Sequence, residues 1–215
     1  MTPQEVITEA RNILQDVRVP FRYVDSLLLG LVNLTLKRLS ILRPDLFVVM
    51  GEIPTVANTV VQSLPANSMR LVEIFQVKGG NAVTEAVREV YDQTLPGWVN
   101  EPVGPTRNYM RHPRNPNRFF IYPKAPENLI LVGEFAQSPR SYGLAEEIDL
   151  VPDSFLPVLV DGTVFMAESI DNEHVNNNRA KLFQDMFNET IALSLQARAL
   201  TDTETAGQNP KEVLS

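Results

Sequence analysis

The sequence contains no cysteine, which excludes a disulfide framework, a thiol nucleophile and a thiolate metal site. Only two histidines occur, His112 and His174, and neither has a second ligand at the spacing that zinc sites use. A Gly-x-Ser-x-Gly motif, a P-loop and a dinucleotide-binding fingerprint are also missing. We therefore expect a protein that is not an enzyme and that holds neither a cofactor nor a metal ion.

Long apolar runs are missing as well. The richest run, residues 27–36, is interrupted by Gly30, Asn33 and Thr35, and it is shorter than the roughly 20 residues of a membrane-spanning helix. The first residues do not follow the basic-then-apolar order of a signal peptide. We expect a soluble protein of cytoplasmic type without a membrane partner. Its 215 residues, 44% of them hydrophobic, suffice for one sizeable core or two small ones.

Basic residues are scarce outside one short stretch. The chain carries 19 Lys and Arg against 26 Asp and Glu, which gives a net charge of −7. Residues 107–126 hold 5 Lys and Arg and no acid, whereas residues 127–215 hold 5 against 15 acids. A protein that binds DNA with a whole face is expected to present a broad basic surface. Contact with a polyanion is therefore restricted to residues 107–126.

Apolar residues at helical spacing predict four helices near the two ends of the chain, over residues 3–17, 25–42, 153–170 and 173–200. Thr2 and Glu5 form a capping-box motif before the first helix, and Pro44 ends the second. The second helix is expected to bury Leu27, Leu28, Leu31, Leu34, Leu39 and Leu42. The last helix is expected to bury Ala180, Phe183, Phe187, Ile191, Leu195 and Ala199.

The central residues 53–136 are rich in β-branched and aromatic residues separated by proline and glycine turns, and they predict a β-rich insertion. Within it, the stretch YMRHPRNPNRFFIYPKAP (109–126) reads as strand, proline-rich turn and strand. Alternation places Phe119 and Ile121 on one sheet face and Phe120 and Tyr122 on the other. Helices at both ends with strands between predict an α+β fold, in which the terminal helices form a bundle with an inserted antiparallel β-meander.

A predicted single domain, residues 1–200, is followed by a C-terminal arm, residues 201–215. The arm is polar and is interrupted by Gly207 and Pro210, so we expect it to be flexible in the free chain and ordered on assembly. It ends in an apolar pair that can anchor it. Its candidate interface residues are Pro210, Val213 and Leu214.

Four segments of the chain combine in a recognisable order: FRYVDSLLLGLVNLTLKRLSILRPDLF (21–47), REVYDQTLPGW (88–98), HPRNPNRFFIYPKAP (112–126) and LVPDSFLPVLVDGTVFMAESIDNEHVNNNRAKLFQDMF (150–187). Together they resemble the head-to-tail adaptor (connector) proteins of short-tailed bacteriophages, which form the ring between portal and tail. The resemblance covers nearly the whole chain. One departure is Val24, where a Ser or Thr cap is usual in the family; Asp25 can serve as the cap instead.

The resemblance implies a virion protein at the head–tail junction, assembled in the host cytoplasm. It implies a homo-oligomeric ring of about twelve copies that matches the portal. The helical bundle is expected to dock on the portal protein, the arm to extend along a neighbour, and the far side to receive a tail tube or nozzle protein. Genomic DNA passes through the lumen during ejection without sequence-specific binding. An acidic channel wall repels DNA and lets it slide.

The basic strip 107–126 has two interpretations. Aromatic residues beside arginines can stack on bases, so the strip is consistent with a nucleic-acid-binding accessory protein. Alternatively, the strip is a hairpin whose arginines meet the acidic C-terminal third of a neighbouring subunit or a tail protein. We favour the second interpretation, with Arg111, Arg114 and Arg118 as candidate interface residues.

The net charge of −7 predicts that the free protein is monomeric or weakly associated. A closed ring of like-charged subunits repels itself unless a template offsets the charge. Sedimentation velocity at moderate salt should therefore show mostly monomer. A stable closed ring without portal protein would contradict this expectation.

Overall fold

A computed structural model describes residues 1–170 and 177–206 of the chain. The described residues form an α+β fold, as predicted, with five α-helices and seven strands. The helices are α1 (Pro3–Leu14), α2 (Asp25–Leu42), α3 (Arg88–Thr94), α4 (Leu156–Glu168) and α5 (Asn177–Ala206). The strands are β1 (Val48–Pro54), β2 (Val61–Ser63), β3 (Ser68–Val77), β4 (Thr84–Glu85), β5 (Asn108–Arg111), β6 (Arg118–Tyr122) and β7 (Ile130–Gln137).

The chain divides into two compact units. Residues 1–42 and the described residues from Arg140 onward form the helical unit, which contains α1, α2, α4 and α5. Residues Arg43–Pro139 form the sheet unit, which contains all seven strands and α3. No helix in the described part of the chain is long and apolar enough to cross a membrane.

Helix α1 begins with the predicted capping box. The Thr2 hydroxyl accepts a hydrogen bond from the backbone N–H of Glu5 at 3.3 Å, and the Glu5 carboxylate accepts one from Thr2 N–H at 3.0 Å. The helix ends at Leu14, not at residue 17 as predicted. Gln15 adopts a left-handed conformation with φ of 57°, which stops the helix, because only isolated residues occupy this region.

A buried cation organises the connection between α1 and α2. Arg11 donates to the carboxylate of Asp16 at 2.5 Å, to the carbonyl of Tyr23 at 2.7 Å and to the carboxylate of Asp25 at 2.7 Å. Its guanidinium also lies 3.9 Å from the centre of the Phe21 ring. Asp16 in turn accepts from the backbone N–H groups of Arg22 and Tyr23. We call these residues the Arg11 network.

Helix α2 has the predicted bounds, but its predicted buried face is partly wrong. Leu28 and Leu39 are buried, whereas Leu27, Leu34 and Leu42 are exposed. The helix carries apolar residues around most of its circumference, so their spacing does not select one face. The residues that are buried on α2 are Leu28, Val32, Thr35, Leu36, Leu39 and Ser40.

Helix α4 contacts each of the other three helices of the helical unit. It begins at Leu156, not at residue 153 as predicted, because a 3₁₀ turn over Asp153–Phe155 precedes it, and it ends at Glu168 rather than at residue 170. Pro157 lies in its first turn, where a missing N–H costs little.

Helix α5 continues to Ala206, further than the predicted end at residue 200, so residues 201–206 of the predicted arm are helical. These residues include Glu and Ala, which favour helix, and Gly207, a poor helix former, comes next in the sequence. Along α5, Ala180, Phe183, Phe187 and Ile191 are buried as predicted, whereas Leu195 and Ala199 are exposed. The predicted helix start at residues 173–176 and the arm residues Pro210, Val213 and Leu214 lie outside the described residues.

The sheet unit contains two sheets, and neither has the strand order of a simple meander. One sheet has the antiparallel order β1-β7-β3, and the other has the order β2-β6-β5-β4 with a parallel β4–β5 pair. The β-rich region begins at Val48, earlier than the predicted residue 53. Strand β3 is an edge strand with three irregularities in its register with β7, between Ser68 and Gln76.

The predicted alternation of the basic hairpin is confirmed, because β6 contributes to two separate cores. Phe119 and Ile121 belong to a core with Ile74, Leu131 and Phe135, among others. The neighbouring residues of β6 point to a second core, which consists of Val60, Trp98, Met110 and Phe120, with Tyr122 packed against it.

Two helical glycines provide a matched test of the packing around α4. A Cβ atom at Gly162 would lie 2.5 Å from Cγ2 of buried Thr35 and 3.1 Å from the Phe187 ring, whereas one at Gly30 meets nothing within 4 Å. Thr35 is held by a hydrogen bond to the Leu31 carbonyl, so it cannot move aside freely. We expect Gly162→Ala to destabilise the protein by about 1–3 kcal/mol and Gly30→Ala to stabilise it by up to about 1 kcal/mol.

Urea denaturation followed by circular dichroism measures both effects. A Gly162→Ala variant as stable as Gly30→Ala would show that α4 is not packed closely at this position.

Candidate interaction site on the sheet unit

The basic hairpin consists of β5, a proline-rich turn and β6. The turn is held by the side chain of His112, whose Nδ1 atom accepts from the backbone N–H groups of Arg114 at 3.2 Å and Asn115 at 3.0 Å. The Asn115 side chain accepts from the N–H of Asn117 at 3.0 Å. Proline and asparagine thus shape the turn, as the sequence predicts.

Three of the four aromatic residues of the hairpin are buried, and Tyr122 is half-buried. Tyr109, Phe119 and Phe120 are buried in the two cores of the sheet unit. His112 stacks on the Phe120 ring at a centroid distance of 5.3 Å and an interplanar angle of 13°. Base stacking requires a free ring face, so the burial of these three rings weakens the nucleic-acid interpretation.

Arg111 is occupied within its own chain. Its Nε donates to the Glu85 carboxylate at 2.6 Å, and its other nitrogens donate to the carbonyl of Leu71 at 2.9 Å and to that of Val72. This side chain therefore connects β5 with β3 and β4. Its bonds give it a structural role in the fold. The predicted contact of Arg111 with a partner stays a prediction.

The charge on Glu85 is stabilised by this contact. The hydrogen bond from Arg111 lowers the pKa of Glu85, and the Tyr109 hydroxyl donates to the same carboxylate at 3.1 Å. Burial is the main cause that raises the pKa of Tyr109. Since the pKa of Glu85 is depressed in the folded state, its contribution to stability is present above its ordinary value of 4.5 and is lost as the pH falls through the folded value. Partial exposure of the pair keeps this contribution small.

An open pocket of about 240 Å³ lies beside the hairpin, and we call it the arginine pocket. Its lining consists of Arg70, Leu71, Arg111, His112, Pro116 and Arg118. Within the described residues, neither Arg70 nor Arg118 forms an ion pair. Guanidinium groups bind carboxylates and phosphates with paired hydrogen bonds, so this pocket is suited to an anionic group.

The structure brings together only some of the residues that the sequence singled out. Arg111 and Arg118 line the arginine pocket, whereas exposed Arg114 lies at the turn outside its lining. Arg70 was not predicted, because it lies on β3, far from the hairpin in sequence, and the strand pattern alone does not show which arginine faces the turn. Across residues 1–170 and 177–206, no cluster of His, Asp and Glu has the composition of a metal site.

Comparison with known proteins gives one family. The sequence model of the family described as SU10 adaptor protein matches residues 1–211 of the chain. None of the curated proteins compared with the chain matches it.

The contacts of two of the three pocket arginines, Arg111 and Arg118, predict different effects on stability. Arg111→Ala removes an ion pair and leaves two carbonyls of β3 without this donor, so we expect a loss of about 1–2 kcal/mol. Arg118→Ala removes no ion pair in the described structure and should change stability by less than about 0.5 kcal/mol. Thermal denaturation of both variants tests the assignment, and an equal loss for Arg118→Ala would contradict it.

Proposed function

Because the chain belongs to the SU10 adaptor protein family, a family of phage head-to-tail adaptors, we propose that it forms the ring that connects the portal to the tail. The ring contains about twelve copies and encloses part of the DNA channel. The protein acts in the virion at the head–tail junction and assembles in the host cytoplasm. The family match over residues 1–211 is the observation that carries this proposal, since it spans both compact units.

The two compact units of the chain support the assignment of different binding partners to each unit. We assign the four helices α1, α2, α4 and α5, as a bundle, to the portal side. The sheet unit is assigned to the tail side, where it meets a tail tube or nozzle protein. The arm residues Pro210, Val213 and Leu214 are assigned to a contact with the neighbouring subunit or the portal, which adds affinity through the many copies in a ring.

The charge distribution also supports an adaptor. Residues 127–215 hold 15 acids and 5 basic residues, and they can supply carboxylates to the arginine pocket of a neighbouring copy or of a tail protein. The net charge of −7 per copy suits a channel wall along which DNA slides. A nucleic-acid-binding accessory role has less support, because Tyr109, Phe119 and Phe120 of the basic strip are buried.

The test combines the purified protein with isolated portal rings and observes them by negative-stain microscopy. We expect a new ring layer on one end of the portal. The double variant Arg70→Ala/Arg118→Ala should impair ring closure or addition of the tail component, while weak DNA binding stays unchanged. If these arginines bound DNA phosphates instead, each lost contact would lower the magnitude of the slope of log K against log salt concentration for DNA binding by about one.

The control for this double variant is Arg107→Ala, since Arg107 is exposed on the same sheet unit and lies outside the lining of the arginine pocket. Failure of the unmodified protein to join portal rings would contradict the adaptor function. Loss of DNA binding with normal assembly of the double variant would favour the nucleic-acid alternative.

A further inference from the structure

Helix α2 carries a row of exposed residues that alternate at steps of three and four. Leu34 is 52% exposed and Ile41 is 75% exposed, although both are large and apolar. This is the spacing of the contact positions in a coiled coil. We call the row the α2 seam, and it consists of Leu27, Gly30, Leu34, Lys37 and Ile41.

Helix α5 carries a second row with the same alternation. Leu182 is 55% exposed and Leu193 is 57% exposed. The buried residues of α5, such as Phe183 and Phe187, lie on a different face, so the exposed row is not part of the helical unit's core. We call this row the α5 seam, and it consists of Leu182, Met186, Glu189, Leu193 and Gln196.

We propose that the α2 seam of one copy packs in parallel against the α5 seam of a second copy of this chain. This inference rests on the proposed function, because it identifies the contact that joins neighbouring copies in the adaptor ring. Each seam covers 15 residues, so its first and last members lie about 21 Å apart at a rise of 1.5 Å per residue. The two rows therefore match in length.

The register follows when residues at equivalent coiled-coil positions of the α2 seam and the α5 seam are placed opposite each other. With Lys37 of one copy opposite Glu189 of the other, Leu27 and Gln196 lie beyond the overlap and the other three layers are apolar. Those layers are Gly30 with Leu182, Leu34 with Met186, and Ile41 with Leu193. A Cβ atom at Gly30 would meet nothing within 4 Å, so this position leaves room for the Leu182 side chain.

Charge distinguishes this pairing from parallel self-pairing of either seam. Lys37 and Glu189 are exposed, and neither forms an ion pair with any residue in the described ranges. Two α2 seams aligned in parallel would place Lys37 against Lys37, and two α5 seams would place Glu189 against Glu189. Like charges at facing positions disfavour both arrangements, whereas opposite charges favour the mixed pair.

A mixed pair has a geometric consequence. Since the two seams are different surfaces of the same unit, each copy offers one seam to the preceding copy and the other to the following copy. Contacts of this heterologous kind generate rings when the rotation closes. Three apolar layers and one ion pair make a small contact, which is consistent with a free chain that assembles only on a template.

Disulfide trapping tests the contact directly, because the natural chain has no cysteine. Leu34→Cys and Met186→Cys copies of different mass are mixed, added to portal rings and oxidised. We expect a disulfide-linked heterodimer on a non-reducing gel. The control mixes Glu9→Cys with Met186→Cys, since Glu9 is exposed on α1 outside both seams, and it should give no such product.

Charge exchange supplies a second readout. Lys37→Glu or Glu189→Lys alone should raise the protein concentration needed for half-saturation of portal rings by about tenfold, and the two changes combined in one chain should restore it. Both sites are exposed, so circular dichroism should show unchanged folding.

The outcomes of these two experiments distinguish a failure of the proposed seam contact from a failure of the adaptor function. Normal ring assembly by both single variants, without the heterodimer, overturns the seam while the adaptor function stands. A cross-link from Leu34→Cys to portal protein instead of to a second copy also overturns it. If the unmodified protein does not join portal rings, the mixed cysteine variants are oxidised alone at high concentration, where the heterodimer supports the seam and its absence overturns it.

Discussion

The structure of the helical unit depends on the hydrogen-bond partners of one buried cation, Arg11. Arg11 is only 8% exposed, and a guanidinium cannot lose its charge at that depth, so its donors require partners. Asp16 and the Tyr23 carbonyl, in the connection between α1 and α2, and Asp25, the first residue of α2, supply them. The path of this connection is thus fixed by charge rather than by apolar burial. Leaving such a charge without its partner costs several kcal/mol.

The same network explains why the Phe-Arg-Tyr-x-Asp segment has its composition. Phe21 covers the guanidinium, the backbone of Arg22 and Tyr23 binds Asp16, and Asp25 binds Arg11. The Tyr23 hydroxyl then donates to the carbonyl of Ala167 at 3.2 Å, near the end of α4. The segment that supports the family resemblance therefore positions α1, α2 and α4 relative to one another. The fold therefore requires these residues whether or not they contact a partner.

Local patterns predicted those features that are determined locally. Asp25 and Pro44 bracket α2 in sequence, and the two-residue period of β6 separates Phe119 from Phe120. The buried face of α2 was not predictable in the same way, since leucine occurs on several faces and packing against α4 decides which ones are covered. The ion-pair partner of Arg111 was not predictable from the sequence either, because Glu85 lies 26 residues away on a two-residue strand. Resemblance to a family, rather than any single motif, indicated the function.

Arg111 also affects how the sheet unit behaves when many copies are close together. Strand β3 lies at the edge of its sheet, and an edge strand with free carbonyls is a template on which another chain can add a strand. Arg111 occupies the carbonyls of Leu71 and Val72, and the irregular register of β3 interrupts its regular pairing surface. Both features hinder edge-to-edge addition and so the growth of fibrils. At this edge of the sheet, association of copies by strand addition is thereby disfavoured.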